Sequence, residues 1–192
     1  MIKKIKEKKT LNEKRCLEHY LEILKNSCSD FIEIKLAYEN ACAELGERFE
    51  YIDKIIEYNN DMLLLNLRLS FNQGFKDNVE HFAKPNAPTF LDENYDATLK
   101  EKEILNNEEY IDIFVKRAKL VSLIPDKEND LYEHIVEYEA FLNTYIPKMA
   151  HYYGFISFDN SMKKSNADYK PDYNLNKRYK EWLSDYLDIN LE

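Results

Sequence analysis

The chain has 192 residues and a formal net charge of −9, and only three of its residues are glycine. An average composition would supply about a dozen. Because glycine serves tight turns and phosphate-binding loops, this scarcity favours helices joined by polar loops and disfavours enzymes built on glycine-rich loops. The 14% aromatic content excludes a disordered chain, and the acidic charge argues against general binding to nucleic acid or to anionic membranes.

The N-terminal residues 1–9 form a basic arm in which five lysines accompany one glutamate. A frayed, solvated terminus is the favoured interpretation, and contact with phosphate or with a membrane is the alternative. Thr10-Leu-Asn-Glu13 has the form of a capping box, in which the threonine and glutamate side chains satisfy free backbone N–H groups. The first helix is therefore predicted from about Leu11 to Lys25.

A long run of apolar residues at spacings of three and four follows Asp30 and reaches Phe82. This period predicts helix throughout. Asn59-Asn-Asp61 is a polar trio within the run that can end one helix and cap the next. The segment is therefore either one helix of about 50 residues or a hairpin of two helices, and the size of an ordinary bundle favours the hairpin. Gly46 lies inside the run and is not expected to end it.

Two prolines in Lys84-Pro-Asn-Ala-Pro88 predict a firm helix end, because proline lacks the N–H group that a helix interior requires. Residues 84–89 are then either a crossover within one helical domain, 10–192, or a link between two halves, 10–83 and 90–192.

The second half is predicted to contain a weak, charged helix around Tyr95–Leu105 and a firmer one over Tyr110–Val121. A third begins at about Glu128 and retains its apolar period past Pro147, which predicts a kinked helix or two abutting helices. Lys163–Lys170 is expected to be loop, and a last helix is predicted from about Asn174 to Leu187. With no strand-like alternation, the fold class is all-α: an irregular bundle of about six or seven helices with no β-sheet.

Two sets of residues that include a histidine are candidate metal ligands. Asp77 and His81 share one helix face, and Asp130, His134 and Glu137 share another, an arrangement that could hold a divalent metal inside a bundle. In a chain with 33% charged residues such spacings also arise by chance. We expect solvated helix faces here, with no metal and no other cofactor.

The densest aromatic stretch, Tyr145–Phe155, is the strongest candidate for a binding surface. Tyrosine combines apolar area with a polar tip and loses little entropy on being fixed, which suits interfaces. Not all of these rings can face one core from a single helix. The candidate residues are Tyr145, His151, Tyr152, Tyr153 and Phe155.

Gly74 and Gly154 each precede a phenylalanine within an apolar helical run that continues past the glycine. A glycine retained inside a helix usually allows another backbone to approach closely. We therefore predict that each glycine lies at a tight crossing between two helices. One alternative is that the two glycines meet at the same crossing.

Lys163–Trp182 mixes lysines with tyrosines and one tryptophan, a combination that can stack and neutralise single-stranded nucleic acid. Interspersed carboxylates weaken the field, so a docked terminal helix is the favoured interpretation. Cys16, Cys28 and Cys42 have no disulfide-like or metal-like spacing, and no signal peptide or membrane helix is apparent. These features predict a cytoplasmic protein, and the abundance of Lys, Asn, Ile and Tyr is typical of AT-rich bacterial genes.

The missing catalytic signatures and the aromatic excess favour a non-enzymatic protein that binds a partner protein, or itself, through Tyr/Phe-rich helix faces. A metal-dependent helical-bundle enzyme and a nucleic-acid-contacting helical protein are the alternatives. The sequence does not name a partner.

Overall fold

The computed structural model describes residues 2–89, 91–92 and 105–187, and within these ranges it describes the side chains of all residues except 2–10, 128–129 and 186–187. The predicted helix around Tyr95–Leu105 lies almost wholly outside the described residues.

The described residues form six α-helices, one short 3-10 turn and no β-strand, which confirms the all-α fold class. The helices are α1 (Ile2–Ser27), α2 (Ser29–Arg48), α3 (Ile52–Ala83), α4 (Glu108–Val121), α5 (Asn129–Ser165) and α6 (Tyr173–Leu187), with the 3-10 turn at Asp126–Glu128.

The long helices α3 and α5 form the central pair, and the other four helices pack around it. The larger core cluster joins α1, α2, α3, α5 and α6, and contains fully buried Leu24, Ile146, Met149 and Leu183. A smaller cluster contains Leu45, Ile52, Ile55 and Ile135. Because both clusters combine residues from before and after the proline segment, the two halves of the chain share their cores.

The helix predicted over the long apolar run is interrupted at Phe49–Tyr51 and continues through Asn59–Asp61. The prediction of a single long helix and the prediction of a hairpin hinged at Asn59–Asp61 were therefore both wrong. Phe49 is extended, with φ −136° and ψ 105°, and Ile52 starts α3 fully buried. Tyr51 fixes the junction by donating a hydrogen bond from its hydroxyl to the carbonyl oxygen of Leu123 at 3.0 Å. Within the polar trio, Asn60 and Asp61 are exposed and Asn59 is half-buried, and polar residues on the solvent side of a helix do not interrupt it.

Helix α1 begins at Ile2, so the backbone of the basic arm is helical. The prediction of a frayed terminus was wrong. The capping-box sequence from Thr10 to Glu13 therefore lies inside α1. Lysine and glutamate are good helix formers, and the polar arm continues the helix that follows it.

Helix α3 ends at Ala83, immediately before Lys84–Pro88, as the two prolines predict. By contrast, Pro147 does not divide α5, which runs unbroken from Asn129 to Ser165 and thus takes in the first part of the predicted loop. In the turn before the proline, the side chains of Asn143 and Thr144 bond to the carbonyl oxygens of Glu139 and Ala140 at 2.9 and 2.8 Å.

Candidate functional site

Gly74 and Gly154 lie opposite each other where α3 crosses α5. A Cβ atom at Gly74 would stand 1.9 Å from the carbonyl oxygen of His151, and one at Gly154 would stand 2.0 Å from that of Phe71. Real Cβ atoms do not approach backbone this closely, so only glycine allows the two backbones to meet. Gly46, by contrast, has no neighbouring atom within 4 Å of the position a Cβ would take.

A buried carboxylate–imidazole–phenol chain lies beside this crossing. Nε2 of His151 is 2.8 Å from Oδ2 of Asp77, and Nδ1 of His151 bonds to the hydroxyl of Tyr179. Asp77 also accepts a hydrogen bond from Gln73 at 2.7 Å. The chain connects α3, α5 and α6, and its members are largely shielded from solvent. It satisfies polar groups that the close crossing removes from water.

A second polar network lies further along the same pair of helices and centres on buried Asp159. This carboxylate accepts hydrogen bonds from the hydroxyl of Tyr169 at 2.5 Å and from the amide of Asn176. The amide of Asn78 contacts the same carboxylate and donates to the carbonyl oxygen of Phe155 at 2.7 Å. Burial, reinforced by the bond to Asp159, raises the pKa of Tyr169. The network fixes the 166–172 turn and the start of α6.

The aromatic candidates at 145–155 do not form one exposed surface. Phe155 is 1% exposed and Tyr152 is 8% exposed, and both contribute to the larger core cluster. His151 belongs to the polar chain described above, while Tyr145 and Tyr153 are partly buried against the core. A continuous aromatic face for a partner is therefore absent from this stretch.

Tyr153 borders a groove of about 480 Å³ between α1 and α5. Its ring stacks on Tyr20 with centroids 5.4 Å apart and meets the edge of His19 at 6.1 Å. Cys16 also lines the groove, and burial together with the charge of Glu13 raises the pKa of its thiol. The raised pKa disfavours the thiolate that nucleophilic catalysis needs.

The two histidine columns lie in different surroundings. Asp77 pairs with His151, and His81 stands 3.4 Å from Oδ2 of Asp172 at the start of α6. His134 lies 3.7 Å from Glu137 on an exposed face of α5, about 25 Å along that helix from His151 at 1.5 Å per residue. Among the described side chains, no group of three or more His, Cys, Asp or Glu residues is arranged to hold a metal ion.

His81 and Asp172 border a polar cavity of about 530 Å³ beneath the Pro85–Pro88 turn. The carboxylate of Asp172 accepts a hydrogen bond from the backbone N–H of Leu175, and this bond, followed by the contact with His81, lowers its pKa. Asp92 accepts from the N–H and hydroxyl of Thr89 in the same cavity. The carboxylates here therefore cap local backbone.

Helix α6 docks on the bundle through Leu175, Tyr179 and Leu183, which are all buried at helical spacing. On its outer side Lys177 pairs with Glu181 at 3.5 Å, and Lys163 of α5 lies over the ring of exposed Tyr173 at 5.7 Å. Tyr179, one of the aromatic residues in the stretch Lys163–Trp182, is thus used in packing and is not available to stack on nucleic acid.

An apolar stripe on α4 faces solvent and was not identified from the sequence. Ile111, Phe114 and Val115 are 44%, 49% and 42% exposed, and Ala118 extends the stripe by one turn. The offsets of zero, three, four and seven place these four residues on one helix face. The sequence did contain an indication of this exposed surface, because α4 also carries apolar residues on its inner side, at Ile113 and Leu120. One core can cover only one side of a helix, so apolar residues on two sides indicate that one side faces solvent.

Two ion pairs hold the opposite face of α4 against the bundle. Arg117 reaches Glu139 of α5 at 2.9 Å and also bonds to the hydroxyl of Tyr132. Arg68 of α3 reaches Glu109 at 3.0 Å. Arg117 lies on the inner side of α4 with 14% of its side chain exposed, whereas Glu109 is 60% exposed at the edge of that side, so the contacts of Arg117 chiefly fix the rotation of the helix and keep the apolar stripe outward.

No protein-family model, curated protein or solved structure matches this chain. None of the helices in the described residues contains an apolar stretch that could cross a membrane.

Proposed function

We propose that this chain is a non-enzymatic protein that binds the surface of another folded chain through the stripe on α4: Ile111, Phe114, Val115 and Ala118. The observation that carries the proposal is the exposure of these adjacent apolar side chains on a helix whose rotation is fixed. Contiguous apolar surface of this kind marks interaction sites, whereas single exposed apolar residues are ordinary.

The spacing of the stripe supports a helical mode of recognition. Residues at i, i+3, i+4 and i+7 are the anchors by which an amphipathic helix enters a groove or pairs with another helix. Phe114 lies near the middle of the stripe and supplies its largest side chain, and central aromatic residues usually dominate the binding energy of an interface.

The proposal keeps the function expected from the sequence and moves its site. Tyr152 and Phe155 are core residues, so the 145–155 stretch offers a partner only its half-buried members. The three free thiols of Cys16, Cys28 and Cys42 support a reducing compartment, and we place the protein in the cytoplasm.

Site-specific photocrosslinking tests this function. A benzophenone amino acid at position 114, in cells that make the protein, is expected to give covalent protein adducts on illumination. The matched control is the same amino acid in place of Lys177, which is exposed on α6 and is far from the stripe in sequence. Adducts at 114 and not at 177 support the proposal, and equal yields at the two positions, or none at 114, contradict it.

A further inference from the structure

The charged residues beside the stripe are separated by sign along α4. Glu108 and Asp112 lie in the first half of the helix, and Lys116 and Lys119 lie in the second half. Steps of four, four and three residues place all four on the same side of the helix, adjacent to the apolar stripe. This flank is therefore acidic at one end and basic at the other.

We propose that the partner of the stripe is a second copy of this chain, with the two α4 helices packed antiparallel about a two-fold axis near Phe114. This inference rests on the proposed function, because it names the occupant of the same surface. It commits to an isologous dimer, in which the same patch serves both subunits.

Antiparallel packing brings the charged flank of one copy against the same flank of the other in reverse order. An axis at Phe114 puts Asp112 level with Lys116 of the second copy, and Glu108 within one residue of the level of Lys119. In a parallel arrangement the two flanks would lie on opposite sides of the contact and would not meet. The charge order thus selects the antiparallel pair, as flanking charges do in paired helices.

The present partners of these charges do not oppose this exchange. Lys116 pairs with Asp112 of its own helix at 2.5 Å, and both side chains are more than half exposed. Exposed pairs of this kind contribute little stability, so replacing them with pairs between copies costs little.

The size of the surface sets the expected affinity. Helix α4 has 14 residues and is about 21 Å long, so the contact is smaller than the interfaces of permanent dimers. We expect a reversible dimer with a dissociation constant in the range of roughly 1–100 μM.

Sedimentation equilibrium of the purified full chain, from about 1 μM to about 1 mM, tests the inference over this affinity range. Two variants reverse the flank: Glu108→Lys with Asp112→Lys, and Lys116→Glu with Lys119→Glu. Each is expected to dimerise at least about tenfold more weakly than the native chain, because like charges then meet, while an equimolar mixture of the two restores the dimer. Lys163→Glu with Lys177→Glu makes the same change in net charge as Lys116→Glu with Lys119→Glu but lies away from α4, so it is the matched control for that variant and should dimerise like the native chain. Circular dichroism verifies that every variant remains helical.

A native chain that stays monomeric to about 1 mM overturns the second copy as partner, as does a pair of reversed variants that dimerise as tightly as the native chain. The photocrosslinking result then separates the two proposals. Adducts of position 114 with other proteins leave the proposed function standing, whereas cross-links confined to residues 93–104 of the same chain overturn both. Adducts of twice the chain mass, lost with Lys116→Glu and Lys119→Glu, support both.

Discussion

At the residue scale, Gly74 and Gly154 allow the backbones of α3 and α5 to touch. The absent Cβ atoms leave the carbonyl groups of His151 and Phe71 the space they occupy. Since those obstacles are backbone atoms inside rigid helices, an added methyl group can be accommodated only by moving a whole helix. Packed interiors resist such movement.

The variants Gly74→Ala and Gly154→Ala are each expected to lower the free energy of unfolding by about 3 kcal/mol or more, as severe overpacking does. Urea denaturation monitored by circular dichroism measures the change. Gly46→Ala is the control: nothing lies near its Cβ position, so the helix preference of alanine should raise stability by up to about 1 kcal/mol. A Gly74→Ala variant as stable as the native chain would show that the crossing is not tight.

The Asp77–His151–Tyr179 chain can be tested through its phenol. Tyr179→Phe keeps the buried ring and removes the hydroxyl that bonds to His151. We expect a loss of about 1–2 kcal/mol in the free energy of unfolding, because a hydrogen bond inside the core is removed. Tyr173→Phe, at an exposed tyrosine of the same helix, should change stability by less than about 0.5 kcal/mol. Equal effects of the two substitutions would assign the hydroxyl of Tyr179 no structural role.

At the element scale, the apolar period identified the helices but did not locate the junction between α2 and α3. The three residues from Phe49 to Tyr51 interrupt the helix, while the aromatic rings of Phe49 and Tyr51 pack together with centroids 5.5 Å apart. Half-buried aromatic residues therefore flank Glu50 at the junction, and within the polar trio Asn60 and Asp61 mark an exposed side of α3. The apolar pattern of a sequence indicates which residues are buried, and here partly buried residues continue through the junction at which the chain changes direction.

The candidate site was predictable only in part, for a related reason. Gly74 and Gly154 could be placed at helix crossings because each precedes a phenylalanine inside an apolar run, although Gly46 in such a run has no neighbour near its Cβ position. The pairing of Asp77 with His151, and of Asp159 with Tyr169, depends on which helices become neighbours. The exposure of Phe114 likewise depends on how α4 is rotated, and that rotation is fixed by Arg68 and Arg117 reaching residues distant in sequence.

The two faces of α4 should respond differently to substitution. Phe114→Ser alters the exposed stripe, so at concentrations well below the dimerisation range it is expected to change the free energy of unfolding by less than about 0.5 kcal/mol. Leu120→Ala alters the inner face, where Leu120 packs against the smaller core cluster, and should cost about 2 kcal/mol. Thermal or urea unfolding of both variants at low concentration makes the comparison. A loss for Phe114→Ser as large as that for Leu120→Ala would indicate that the stripe is covered within the chain.

At the scale of the whole molecule, the Arg117–Glu139 pair attaches α4 to the central helices and couples stability to pH. Burial raises the pKa of Glu139 from 4.5 to about 7, although the guanidinium of Arg117 at 2.9 Å acts in the opposite direction. Among the described residues, the second carboxylate oxygen of Glu139 has no hydrogen-bond partner. A single bond to Arg117 therefore does not replace the water that this carboxylate loses.

The direction of the coupling follows from proton binding. Between pH 4.5 and pH 7 the folded chain retains a proton on Glu139 that the unfolded chain has released, so the free energy of unfolding falls as pH rises. Over this window the contribution lost is on the order of 2–3 kcal/mol.

Glu139→Gln supplies a neutral side chain of the same shape at every pH. It should match the native chain near pH 5, exceed it in stability near pH 8, and flatten the slope between the two. Urea denaturation from pH 4 to pH 9 measures these slopes, with Glu133→Gln on the exposed side of α5 as the control for removing a carboxylate from the same helix. If Glu139→Gln were instead less stable than the native chain at pH 8, the attraction of Arg117 would outweigh the cost of burying the carboxylate, and the attachment of α4 would strengthen with rising pH.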